Sequence, residues 1–230
     1  IIQSQSLTQP SQPTSFQGHT TISYNQLAMV THRSLALGAR GIHFQSFSRL
    51  DRTDKETILR IRILERLNRE LQLIEPWVSG GTSTGIVNTP LEHHSVYMTK
   101  TGRTRLVWLF NRDNHEQIVT RPNDNELISF DVPGVPLTYL PYHVNYSAIH
   151  RIRTNRGSNN RIALTPTAPY SLVVMTADPL VRDYIQRRIY TNRQRILQLS
   201  YDILQLELSR MQDLRTFDSI TATALTDTFN

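Results

Sequence analysis

The 230-residue sequence contains no cysteine and only two lysines, Lys55 and Lys100. Without thiols it can form neither a disulfide nor a thiolate metal site. No apolar run approaches the ~20 residues needed to span a bilayer, so no membrane partner is expected. The first residues, Ile1-Ile2-Gln3-Ser4-Gln5-Ser6, lack both the basic region and the apolar segment of a signal peptide. A secreted or periplasmic location would therefore need a leader upstream. The missing initiator methionine points to a fragment or a processed product.

Two further motifs are absent. Gly80-Gly81-Thr82-Ser83-Thr84-Gly85 has no phosphate-loop lysine and follows a helical pattern rather than a strand. The eight histidines show no H-E-x-x-H spacing, and His93-His94 beside Glu92 would point to opposite faces of a strand. No metal and no cofactor are expected.

What the chain has instead is arginine. Nearly all of its 25 basic residues are arginines, and the net charge is +6. They run from Arg33 to Arg215, interspersed with Asp and Glu, which fits a solvated surface better than a nucleic-acid footprint. Arg187-Arg188 and Arg193-Arg195 are the best nucleic-acid candidates, but acids follow on the same helix and no aromatic residues interleave for base stacking.

The pattern along the chain changes twice. Ile1 to Leu7 suits a short strand and Thr8 to Gly18 a loop. Thr21 to Leu37 has helical spacing, Gly38 stops it, and Gly41 permits tight entry into a strand over Ile42–Phe47. Thr53 with Glu56 predicts a capping box, and Ile58, Ile61, Leu64, Leu67, Leu71 and Ile74 predict the following helix, ended by Pro76. Residues 79–85 are small and polar, and predict a linker.

Beyond it the period changes. Short runs at Val96–Thr99, Thr104–Phe110, Ile118–Thr120, Leu127–Asp131, Leu137–Leu140, Ser147–Ile152, Arg161–Leu164 and Tyr170–Met175 alternate with turn residues. They predict an antiparallel sandwich over 86–177. Asp178-Pro179 opens a long helix over 178–215, about 50 Å if unbroken, followed by a tail over 216–230. Such a helix must cross a second domain, pair with a partner or break.

Four of these segments carry a resemblance. They are Ile1-Ile2-Gln3-Ser4-Gln5-Ser6; Leu35-Ala36-Leu37-Gly38-Ala39-Arg40-Gly41-Ile42-His43-Phe44; Leu67-Asn68-Arg69-Glu70-Leu71 with Ile74-Glu75-Pro76-Trp77; and Leu106-Val107-Trp108-Leu109-Phe110-Asn111-Arg112. Together they resemble the C-terminal half of bacterial glycoside-hydrolase-like proteins that pair a (β/α)8 barrel with a β-sandwich. The resemblance implies an α/β part, the last βα units of a barrel over residues 1–78, followed by the all-β sandwich and the long helix. It also implies a carbohydrate partner.

Glycosidases need two carboxyl groups across the scissile bond, and barrels present them at the C-terminal ends of strands. Here the first strand end offers Gln3, Gln5 and Ser6, and the second Gln45, Ser46, Ser48 and Arg49, with Asp51 following. This departs from the nucleophilic Glu that the resemblance implies near the end of the seventh strand. The catalytic pair is therefore expected upstream of Ile1, leaving Gln5, Gln45, Ser48, Arg49 and Asp51 as candidate sugar contacts. For Arg49 and Asp51 the competing role is shaping the next helix.

Glu65, Glu70 and Glu75 are expected on a solvated helix face. Trp77, Trp108, Phe110, Tyr139 and Tyr142 are candidate stacking platforms, although the alternation around Trp108 and Phe110 favours sandwich core. Asn145-Tyr146-Ser147 fits a glycosylation sequon, which matters only in a eukaryotic secretory context. The contrasting function is a non-enzymatic assembly protein, such as a viral coat component, using the sandwich and the arginine-rich helix for subunit contacts. The oligomeric state is left open.

Overall fold

Leu106-Val107-Trp108-Leu109-Phe110 offers no polar face, and a strand of this kind is stable only with both sides covered. The computed structural model describes residues 2–3, 22–45, 49–89, 91, 93–111, 127–156, 160–166 and 170–228, with side chains at all of these except 2–3, 154–156 and 214–228. In it this run lies in strand β5 (Thr104–Asn111), in the interior of a six-stranded antiparallel sheet. Its neighbours are β4 (His94–Thr101) and β11 (Tyr170–Thr176). Strand β3 (Thr82–Val87) pairs with the outer side of β4, and β7 (Leu140–Val144) and β8 (Ile149–Arg151) continue the sheet beyond β11.

Because side chains alternate along a strand, this sheet serves two cores. One face sends Val96, Met98, Val107, Leu109, Val173 and Met175 against Ile128, Phe130, Val132, Ile162 and Leu164. Those residues belong to a second sheet of three strands, ordered β6 (Ile128–Val132), β10 (Asn160–Leu164) and β9 (Thr154–Arg156). The two sheets form the sandwich-like layer expected from the sequence. The opposite face sends Tyr97, Leu106, Trp108, Phe110, Leu172 and Val174 against three helices. These are α1 (Tyr24–Ala36), α2 (Lys55–Gly80) and α3 (Pro179–Thr228). The chain thus mixes α and β layers around antiparallel sheets.

Several expectations are corrected. The cap of α2 is Asp54, whose carboxylate accepts from both the amide and the hydroxyl of Thr57, while Glu56 pairs with Arg210. Pro76 does not end α2, which runs on to Gly80. A proline lacks the N–H that would bond the carbonyl four residues back, and the Tyr184 hydroxyl of α3 donates to that carbonyl, on Gln72, at 3.4 Å. The segment 79–85 is no linker, because it ends α2 and begins β3. At the junction, a Cβ on Gly81 would lie 2.1 Å from the Trp77 carbonyl oxygen, so only glycine fits. The run 137–140 is mostly turn, and only Leu140 of it is strand. Ile118–Thr120 lies outside the described residues.

The last helix neither breaks nor stops at 215. It continues to Thr228, about 75 Å at 1.5 Å per residue, where a tail was expected. It packs antiparallel along α2, from Arg188–Glu75 at one end to Lys55–Asp213 at the other.

Parallel pairing among the described residues is confined to β1 (Ile2–Gln3) with β2 (Phe44–Gln45), in register Ile2↔Phe44 and Gln3↔Gln45. A partial barrel is not seen in them.

Candidate functional site

Two places bear on function: the ends of the parallel strands, and a buried polar cluster beneath α1. At the strand ends, Gln45 is exposed, and Arg49 and Asp51 form an ion pair with Nη2 and Oδ2 2.5 Å apart. Both side chains remain mostly exposed, so the pair contributes little stability and leaves them accessible. Gln5 and Ser48 lie outside the described residues. Of the five residues singled out in the sequence, Arg49 and Asp51 are thus in direct contact.

The connection leading to β2 is anchored firmly. Gly38 takes φ +104, a left-handed conformation suited to glycine, and ends the turn after α1. Arg40 then donates to the carbonyls of Ser79 at 2.6 Å and Gly81 at 2.9 Å, satisfying acceptors exposed at the end of α2. Ser83 of β3 donates to the Ala36 carbonyl at 2.9 Å. Between Arg40, Leu35, Trp77, Ser83 and Thr99 lies a cavity of about 30 Å³, which suits one water.

The buried cluster was not anticipated. Glu70, expected on a solvated face, has no exposed surface. Its Oε1 accepts from Arg66 Nε at 3.0 Å and its Oε2 accepts from the Tyr24 hydroxyl. The Arg66 guanidinium sits 3.6 Å over the Tyr24 ring, a cation–π contact. Nearby, the hydroxyls of Tyr146 and Tyr170 are 2.5 Å apart, Tyr146 Oη lies 3.2 Å from His32 Nε2, and His32 stacks on Tyr170 with centroids 4.2 Å apart.

Burial dominates the electrostatics here. It raises the Glu70 carboxyl to about 7, although Arg66 and the Tyr24 hydroxyl pull the other way. It lowers His32 to about 3, so this imidazole is neutral at ordinary pH. Burial also pushes the Tyr24, Tyr146 and Tyr170 phenols well above their usual range. Glu70 can reach no substrate through this packing. What the cluster can do is tie α1, α2 and the sheet together by hydrogen bonds made inside the core. The available signal was spacing: Ile63, Leu67, Glu70, Ile74 and Trp77 repeat at four and three residues, placing Glu70 on the apolar stripe.

The remaining candidates are placed as follows. Trp77 is buried and donates from Nε1 to Thr104 Oγ1 at 2.9 Å, which removes it as a stacking platform. Trp108 and Phe110 are core. Tyr139 and Tyr142 are half-buried, with the Arg105 guanidinium 5.9 Å over the Tyr139 ring. Asn145 Oδ1 accepts from Ser147 and Ala148, closing the turn between β7 and β8. Glu65 accepts from Nε and Nη2 of Arg195, at 2.8 and 2.7 Å, and also from Arg69. Those hydrogen bonds hold its carboxyl down at about 2. Arg188 pairs with Glu75, so two of the nucleic-acid candidates are turned to α2, while Arg187 and Arg193 are exposed. No group of metal-ligating side chains occurs among the described residues.

No family model matches the chain, and no match was found among curated proteins or solved structures.

Proposed function

We propose that the chain is the C-terminal part of a carbohydrate-active, glycoside-hydrolase-like protein, in which it closes the βα portion and carries an appended sandwich. One observation supports this reading above the others: Ile2–Gln3 and Phe44–Gln45 run parallel with α1 between them, and α2 follows. Parallel strands need a crossover, and a repeated strand–helix unit of this kind is the element from which βα barrels are built. In such a barrel Gln45, Arg49 and Asp51 would stand at the rim beyond the strand end, with Ser48 next to Arg49 in sequence and Gln5 two residues past the end of β1. Their amides, guanidinium and carboxylate suit sugar hydroxyls. The carboxylate pair would come from other strands of the whole protein.

The test is hydrolysis. The whole natural reading frame is expressed and assayed on a panel of aryl glycosides and polysaccharides, alongside this chain alone. Hydrolysis by the whole protein, none by the chain, and weaker substrate binding in Arg49→Ala are expected. A reading frame without further βα units, or a whole protein inert toward every glycoside, would overturn the reading.

A further inference from the structure

Helix α3 carries two apolar stripes. The first, Ile185, Ile189, Ile196, Leu199 and Ile203, is buried, with the polar Asn192 buried among them. The second is Tyr190, Leu197, Tyr201, Leu204, Leu208 and Met211, exposed at 87, 53, 59, 52, 41 and 52%. After Tyr190 its members recur at seven, four, three, four and three residues, the repeat of a coiled-coil seam with Gln194 filling the one polar position. A continuous seam of this length, about 32 Å along the helix, is unlike the scattered single apolar residues of an ordinary surface.

The flanks indicate what covers it. On one side stand Arg193, Ser200 and Glu207, and on the other Gln198, Gln205 and Gln212. In a parallel pair, opposite flanks meet, so Arg193 and Glu207 would each face glutamine. In an antiparallel pair, like flanks meet, and Arg193 of one copy comes beside Glu207 of the other, twice. The same alignment sets Tyr201 against Leu197, Leu204 against Gln194 and Leu208 against Tyr190, about a twofold axis between Leu197 and Tyr201. A lipid surface is a poorer fit, because a membrane-lying helix carries Lys or Arg along its polar borders, and here one border is glutamine and the other ends in Glu207.

We infer that the protein self-associates through this stripe, two α3 helices pairing antiparallel with Arg193 beside Glu207 of the second copy. The inference holds whether or not the protein acts on carbohydrate.

Sedimentation of the full-length protein at 1–100 µM tests it. A species of twice the monomer mass is expected, dispersed to monomer by Tyr201→Glu with Leu204→Glu while the circular dichroism spectrum is kept. Charge swaps give a second measurement that leaves the apolar seam intact. Arg193→Glu alone and Glu207→Arg alone each weaken association by about tenfold or more, and an equimolar mixture restores it as a heterodimer. The cysteine-free background allows a third. Gln198→Cys, next to the twofold axis, joins to itself through a short bis-maleimide, and Gln205→Cys does not. A protein monomeric throughout the range, a dimer indifferent to the double substitution, or cross-linking at 205 instead of 198 would each overturn the inference.

Discussion

A carboxyl group with no exposed surface makes stability depend on pH in a direction set by its surroundings. In the folded protein Glu70 keeps its proton up to about pH 7, whereas the unfolded chain releases it near 4.5. Between those values the folded state binds more protons, so the contribution of Glu70 to stability falls as pH rises from about 4.5 to 7. Glu65 works the other way. Its folded value of about 2 means that its stabilisation is present above 4.5 and is lost as pH falls toward 2. Glu70→Gln should therefore flatten the decline on the neutral side and leave the acid side unchanged. Glu65→Gln should remove part of the acid-side loss. Thermal melts from pH 3 to 8 check both. Glu70→Ala is a harsher change, costing about 3 kcal/mol in chemical denaturation, because it leaves the Tyr24 hydroxyl and the largely buried Arg66 without their partner.

At the scale of elements, the continuation of α2 past Pro76 rests on a hydrogen bond supplied by another helix. The Tyr184 hydroxyl meets the carbonyl that proline leaves without an amide partner. Pro76→Ala supplies that amide from within α2, so Tyr184→Phe should cost less in the Pro76→Ala background than in the wild type. A double-mutant cycle in urea should give a coupling of about 0.5 kcal/mol or more. Additive effects would show that the tyrosine acts by packing alone.

Strands β4, β5 and β11 were legible as short β-prone runs set off by turn residues, and their near-continuous burial follows from lying between two cores. Residues 79–85 looked like a linker because β3 lies at a sheet edge and has little apolar surface to declare itself. The α2 cap fell one residue from the expected one, since Thr53–Glu56 and Asp54–Thr57 are both plausible pairs and only the position of Arg210 draws Glu56 away. The burial of Glu70 was written only in its spacing, and a second pattern competed with it. With Arg66 four residues before it, Glu70 looks like half of a solvated helical ion pair, and the partners that bury it, Tyr24, Tyr146 and Tyr170, come from distant parts of the chain. The rim candidates were chosen as polar residues at the strand ends, and of these Arg49 and Asp51 form an ion pair.

At the scale of the whole molecule, self-association through α3 would link stability to concentration. The dimer unfolds to two chains, so the melting temperature should rise with protein concentration in the wild type and stay fixed in Tyr201→Glu/Leu204→Glu. Differential scanning calorimetry at two concentrations a hundredfold apart separates the two cases.

The interior of the six-stranded sheet also sets how the molecule comes apart. Strands β5 and β11 are a wall shared by two cores, with Trp108 and Leu172 on one side and Val107 and Val173 on the other. Neither core can melt alone without exposing the back of the other, so the two should behave as one cooperative unit. In native-state hydrogen exchange, the amides linking Leu106–Phe110 with Tyr170–Val174 should be the last to exchange, opening only with global unfolding. Fluorescence from Trp77 and Trp108, both on the helical side, should lose its native signal at the same midpoint as the strand signal in circular dichroism.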